Sequence, residues 1–183
     1  MTATLILVDI QKGMDVSDYW GPRNNPDAEQ RAADLLHHWR AQNWPVIHVR
    51  HDSTNPKSPL QGPGIEIKDE VAPLPHEPVL TKSVNSGFIG TDLEARLRNA
   101  DATDLVICGI TTPHCVSTTV RMAANLGFTV QVAADACATF AAAANTSFDD
   151  GPSPTAEEVH RAALSHLHTE FATVTTSDKI IAG

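Results

Sequence analysis

The 183-residue chain has only three cysteines, Cys108, Cys115 and Cys137. An odd number without close pairing writes no disulfide framework. Positive charge is also scarce, with 13 Lys and Arg against 22 Asp and Glu and a formal charge of -9. That balance argues against nucleic acid or an anionic membrane surface as the main partner. No apolar run approaches the roughly 20 residues of a membrane span. The opening MTATLILVDIQKG has no basic leader and no small-residue cleavage site, so a cytoplasmic location is expected. After the first apolar run the chain reads DIQKGM. It lacks the G-x-G-x-x-G of a dinucleotide-binding turn, which weakens that reading. A phosphoaspartate hydrolase built on Asp9 would want a second Asp two residues on, where this chain has Gln11.

What is present fits one α/β domain spanning residues 1–183. Hydrophobic residues make up 42% and charged residues 19%, an ordinary globular balance. Short apolar, β-branched runs occur at 4–10, 45–51, 78–82, 104–110, 128–135 and 171–176. Helical patterns fall between them near 27–43, 91–99, 113–126 and 155–170. Continuously apolar strands separated by helices predict a parallel sheet covered on both faces. The expected fold is a doubly wound, Rossmann-like three-layer sandwich with six parallel strands in order 3-2-1-4-5-6. Thr112 and Pro113 read as N-cap and first helical residue, with Gly127 closing that helix. Thr155 and Glu158 read as a capping box for the last one. The stretch 52–77, rich in Pro, Gly and Ser, is too long for a plain connection and is expected to be functional or mobile.

In such sheets ligands bind beyond the carboxyl ends of the strands. Asp9 closes the first run, Lys82 closes the third, and Cys115 opens the helix after the fourth. Taken singly, each has a plain explanation: a turn-capping Asp, a solvated Lys, a small core Cys. Together they form a chemical set. The start of a helix is expected to lower the Cys115 thiol pKa toward a reactive thiolate. Asp9 can take the thiol proton and return it to a leaving group, and Lys82 can stabilise both. Backbone N–H groups at the helix start can form an oxyanion hole. Cys108 reads as core, and Cys137 as core or support. His114 adjoins Cys115, but neighbouring helical residues point about 100° apart, which leaves it to the pocket lining or the surface.

The stretches LILVDIQKGM, LTKSVNSGFIGTDLEARLR and LVICGITTPHCVSTTVRMAANLGFTVQVAADACAT resemble the isochorismatase-like cysteine hydrolase superfamily. That superfamily includes nicotinamidases and N-carbamoylsarcosine amidohydrolase. The resemblance implies a catalytic triad of Asp9, Lys82 and Cys115. It also implies a cis peptide at Ile110–Thr111 and an oxyanion hole from the N–H groups of Thr111 and Cys115. One departure is Met14, where relatives commonly carry an aromatic. Another is VRHDSTNPKSPL, which lacks the Asp-x-His motif of metal-binding nicotinamidases. His48 and His51 stand three apart on an extended run and point to opposite faces. His37 and His38, and His160, His166 and His168, fall on helices and read as solvated or half-buried. No metal and no cofactor are expected.

Gln11, Asn85, Phe88 and His114 are the candidate substrate-binding residues; the first three could equally stabilise loops. Trp20 reads equally as a lid or as a buried aromatic, and His51 to Ser53 as a border of the entrance. The expected partner is a small molecule, and the expected assembly a homo-oligomer. The leading activity is hydrolysis of a C–N bond in a small amide, ureido or carbamoyl compound through a thioester. The alternative is vinyl-ether hydrolysis with Asp9 as general acid, which does not need the thiol. A dinucleotide-binding module is the third, weaker reading, and a non-catalytic scaffold is a further one.

Overall fold

The apolar runs become six strands in a computed structural model that describes residues 2–183. They are β1 (Thr4–Val8), β2 (Val46–His51), β3 (Val79–Lys82), β4 (Asp104–Ile110), β5 (Thr129–Ala138) and β6 (Thr173–Thr175). All neighbours pair in parallel, in the order β3-β2-β1-β4-β5-β6. The sequence therefore folds as its pattern predicts. β1 and β4 are central, and Leu5, Ile6, Val8 and Ile107 are fully shielded from solvent. Strands covered on both faces gain burial from every side chain, which is why these runs do not alternate.

The helices are α1 (Ser17–Trp20), α2 (Ala28–Ala41), α3 (Leu93–Asn99), α4 (Ser117–Asn125), α5 (Ala156–Leu167) and α6 (Ser177–Ala182). α2 packs with α6, and α4 with α5. Right-handed crossovers place helices on opposite faces when the strand order runs outward in opposite directions from β1. The Thr155–Glu158 capping box opens α5 as expected. Gly127, at φ 89°, follows the end of α4. The short α1 and α6 had no clear sequence signal. No described helix is long and apolar enough to cross a membrane.

The helix expected to start at Thr112 differs in form. Residues 112–116 make a π-helical turn, and regular α-helix begins only at Ser117. Thr112 does not cap with its side chain. Its hydroxyl donates to the Ala138 carbonyl (3.1 Å) and lies 2.8 Å from His160 Nδ1. The hydroxyl proton is committed to Ala138, so His160 must carry its proton on Nδ1. His160 is thus a buried prop under the turn rather than a solvated helix residue.

Buried ion pairs are among the contacts that hold down the long stretch 52–77. Lys68, itself buried, pairs with Glu29 (2.6 Å) at the start of α2. Glu77 binds Arg40 on α2 (2.7 Å) and His48 on β2 (3.0 Å), and accepts the Leu74 N–H (2.9 Å). Burial alone would raise the Glu77 carboxyl, but those donors outweigh it and hold it at about 2. Glu77 stands two residues before the start of β3, so this cluster fixes where Lys82 starts its reach.

A sign follows for acid stability. A carboxyl held low when folded contributes stability that is present above its ordinary value of 4.5 and lost as pH falls toward 2. Glu77→Gln should cost about 3 kcal/mol at neutral pH, because it leaves a buried cluster unbalanced. Urea unfolding across pH 2 to 5 should also show a shallower acid dependence than the parent chain. An unchanged slope would mean that Glu77 does not carry the effect.

Candidate active site

Asp9 leaves β1 in the left-handed region, at φ 54°. Beside it, Gly109 on β4 takes φ 140°, and a Cβ there would lie 1.9 Å from the Val8 carbonyl oxygen. Only glycine lets β4 approach the end of β1 so closely. The Ile110–Thr111 peptide bond that follows is cis. These bends deliver Asp9 and Cys115, 106 positions apart in sequence, to the same point.

Lys82 arrives from the edge strand. β2 lies between β3 and β1, with His51 paired directly beside Lys82. An ammonium reaching from β3 to Asp9 must therefore pass the end of β2, where His51 stands. Lys82 Nζ lies 2.6 Å from Asp9 Oδ2, 3.1 Å from His51 Nδ1 and 3.3 Å from Cys115 Sγ. The side chains of Lys82 and Asp9 are wholly buried. To face an ammonium, His51 Nδ1 must be unprotonated. Burial, and then the Lys82 charge, hold His51 below its ordinary range, in keeping with that role.

Sequence reasoning took His51 only as a border of the entrance and missed this contact. The signal available was its place at the end of β2. The expected strand order already put β2 between β1 and β3, but not the direction in which the His51 ring points.

The thiol differs from expectation. Burial, and then the Asp9 carboxylate, push Cys115 above its ordinary value; Lys82 pulls the other way without cancelling them. Burial also raises Asp9 despite Lys82. The helix start does not yield a resting thiolate, because desolvation is the larger effect. Asp9 Oδ1 is buried and has no hydrogen-bond partner.

Asp9, His51 and Cys115 offer one carboxylate, one imidazole and one sulfur atom, all within 4.8 Å of one another. Such a set could suit a metal ion. The Lys82 ammonium already sits among the same three groups, so an added cation would have to displace a buried charge from its partners.

Above this cluster lies a cavity of about 180 Å³ that reaches Cys115, Thr111, Asn85 and His114. Asn85 Oδ1 is 3.9 Å from the sulfur. Met14, Tyr19, Trp20 and Leu60 form its apolar wall. Trp20 stacks on Phe140 and donates from Nε1 to the Gly13 carbonyl (2.8 Å), so it is a fixed wall. Ser53 and Ser58, from the long stretch after β2, complete the lining.

Two of the candidate binding residues lie elsewhere. Gln11 is fully buried, and its amide is spent on backbone: it accepts the His51 N–H (2.7 Å) and donates to the carbonyls of His51 (2.9 Å) and Ile65 (3.2 Å). It positions His51 rather than substrate. Phe88 turns into the core and stacks on Phe128 at 6.1 Å. Cys108 and Cys137 are fully buried in the same core.

A doubly wound parallel sheet with buried Asp, Lys and Cys at the carboxyl end defines the class of protein, and comparison with known chains gives the family. The isochorismatase domain model matches residues 3–179, and the chain belongs to that family of hydrolases. An isochorismatase family protein of Bacillus subtilis is 44% identical, over 97% of this chain and 93% of its own length. The crystal structure of a hydrolase assigned to the family from Chromobacterium violaceum is 45% identical. It superposes with a TM-score of 0.92, over 99% of this chain and 92% of that one. A ureidoacrylate amidohydrolase of Methylobacterium radiotolerans is 35% identical, over 58% of this chain and 36% of its own.

The raised thiol gives a direct expectation. In the native protein, iodoacetamide should label Cys115 before Cys108 and Cys137. Its rate should keep climbing as pH passes the ordinary thiol range near 8.5. A rate that levels off below pH 7 would restore the resting thiolate.

Proposed function

We propose that this chain is a cysteine-dependent amidohydrolase that cleaves a C–N bond in a small substrate through a thioester on Cys115. The observation that carries this reading is the contact of one buried ammonium with both Asp9 and Cys115 beneath a cavity open to the sulfur. The ureidoacrylate amidohydrolase among the relatives supports amide chemistry.

The steps use groups in contact. As the sulfur attacks the carbonyl carbon, its proton passes to Asp9, whose unpartnered Oδ1 has room to accept it. Waiting for substrate suits a thiol whose pKa is raised: the thiolate forms only as its charge moves on to the substrate oxygen. That oxygen is received by the backbone N–H groups of Thr111 and Cys115, whose residues both line the cavity. The tetrahedral adduct then breaks its C–N bond, and Asp9 gives the proton to the departing nitrogen. Water attacks the thioester, Asp9 takes one of its protons, and the thiol is restored as the acid leaves. Lys82 stays protonated throughout, holding Asp9 and the sulfur in register. No step calls for a metal.

Cys115→Ala should lower kcat for an amide by about 10³-fold or more, with the fold kept, because the attacking atom is gone. Asp9→Asn should be as severe. Mass spectrometry of Asp9→Asn after substrate exposure should find acyl adduct on Cys115 where attack still occurs. Dialysis against a chelator should leave turnover unchanged. Vinyl-ether chemistry gives another pattern, in which Asp9→Asn is crippling and Cys115→Ala mild. Amide turnover by Cys115→Ala at near parental rates would falsify the covalent route.

A further inference from the structure

The cavity over Cys115 is notable for the charge it does not offer. Its apolar wall is Met14, Tyr19, Trp20 and Leu60, and the rest is hydroxyl, amide, imidazole and thiol. No Arg, Lys, Asp or Glu lines it. Lys82, which contacts the lining residues His51 and Cys115, and Asp9 have no exposed side-chain surface and are paired to each other at 2.6 Å. That pair is neutral as a unit, so the floor offers no free cation to a carboxylate. Lys57 precedes Ser58 in the chain but is exposed and does not line the cavity. The two histidines, His51 and His114, are neutral above the ordinary histidine range.

Size narrows the choice further. A cavity of about 150 Å³ takes a molecule the size of benzene. At about 180 Å³ this one holds a single ring or a short chain. A carboxylate entering it would lose its water without gaining a charged partner, and an unpaired buried charge is among the costliest contacts a protein can make.

We infer that the substrate is a compact, uncharged amide with one apolar face and no carboxylate, selected by a cavity that offers no countercharge. This rests on the amidohydrolase reading for its chemistry, while the charge selection rests on the lining alone. The same lining disfavours isochorismate, whose two carboxylates would find no partner there.

Two measurements separate the parts. In the first, succinamide and succinamate are compared as substrates by ammonia release near pH 8.5. They have the same number of non-hydrogen atoms and differ by one charge. The value of kcat/KM should favour the neutral diamide by about 30-fold or more. Equal or better use of succinamate overturns the inference and leaves the amidohydrolase reading standing.

The second needs no turnover. Cys115 is alkylated with iodoacetamide and, separately, with iodoacetate, and the rate ratio is divided by that of a small free thiol at the same pH. The result should favour the neutral reagent by about tenfold, and Ser58→Arg, which places a cation on the lining, should remove most of that preference. A ratio at or below that of the free thiol overturns the inference. If neither amide releases ammonia but the alkylation preference holds, amide chemistry fails and the selection of uncharged molecules stands.

Discussion

Everything at this site depends on one buried ammonium. A lysine charge taken out of water is costly unless partners surround it, and removing a partner costs more than making the pair gained. Lys82 Nζ meets that demand with three groups from three elements: Asp9 after β1, His51 at the end of β2 and Cys115 after β4. The reverse also holds. Asp9, fully buried, could not stay ionised there without Lys82. The scaffold is arranged to hold this contact. Gln11 clamps the backbone of His51, Glu77 fixes the entry to β3, and glycine at 109 lets β4 approach β1. These residues work through position, and none of the three touches the cavity.

The same burial decides how the thiol behaves. A helix start and a nearby ammonium both favour thiolate, yet desolvation and the adjacent carboxylate outweigh them. A thiolate at rest would put a second anion beside Asp9 with only one cation to share. Keeping the proton on sulfur until an electrophile arrives leaves the site with one positive and one negative charge. In the proposed mechanism Asp9 serves as both base and acid, and burial, which raises its carboxyl above the ordinary value, favours its taking up the proton.

The strands were legible because each is a continuous apolar run, and the order of the sheet was expected from the doubly wound class that alternating strands and helices indicate. That Asp9, Lys82 and Cys115 meet was legible because strand ends are where such sheets place chemistry, and the motifs around them resemble a family. What was not legible depends on where a side chain points. Gln11 and Phe88 stand near the site in sequence, but one is consumed by backbone partners and the other stacks in the core. His51 was within view and was weighed only as a metal ligand and a border. The expected strand order already placed β2 between β1 and β3; what it did not show is that the His51 side chain turns toward the path of Lys82. The π-helical turn at 112–116 was hidden for a similar reason. Thr112 has the composition of a cap, but its hydroxyl is claimed by Ala138 and His160, both brought in by tertiary packing.

The lysine also shapes what can enter. Chains with little positive charge can still recognise anions if a cation stands free at the site. Here the lysine nearest the cavity is spent below the floor, and its charge is cancelled at 2.6 Å by the carboxylate it holds. Drawing on it to bind a substrate carboxylate would weaken its hold on Asp9, the group that moves the proton in the proposed mechanism. Recognition therefore falls to the lining: an apolar wall fixed by the stacking of Trp20 on Phe140, opposite neutral hydroxyl and amide groups. In the proposed mechanism catalysis and selectivity are tied by the same constraint, since the cation that holds Asp9 in place is not free for binding.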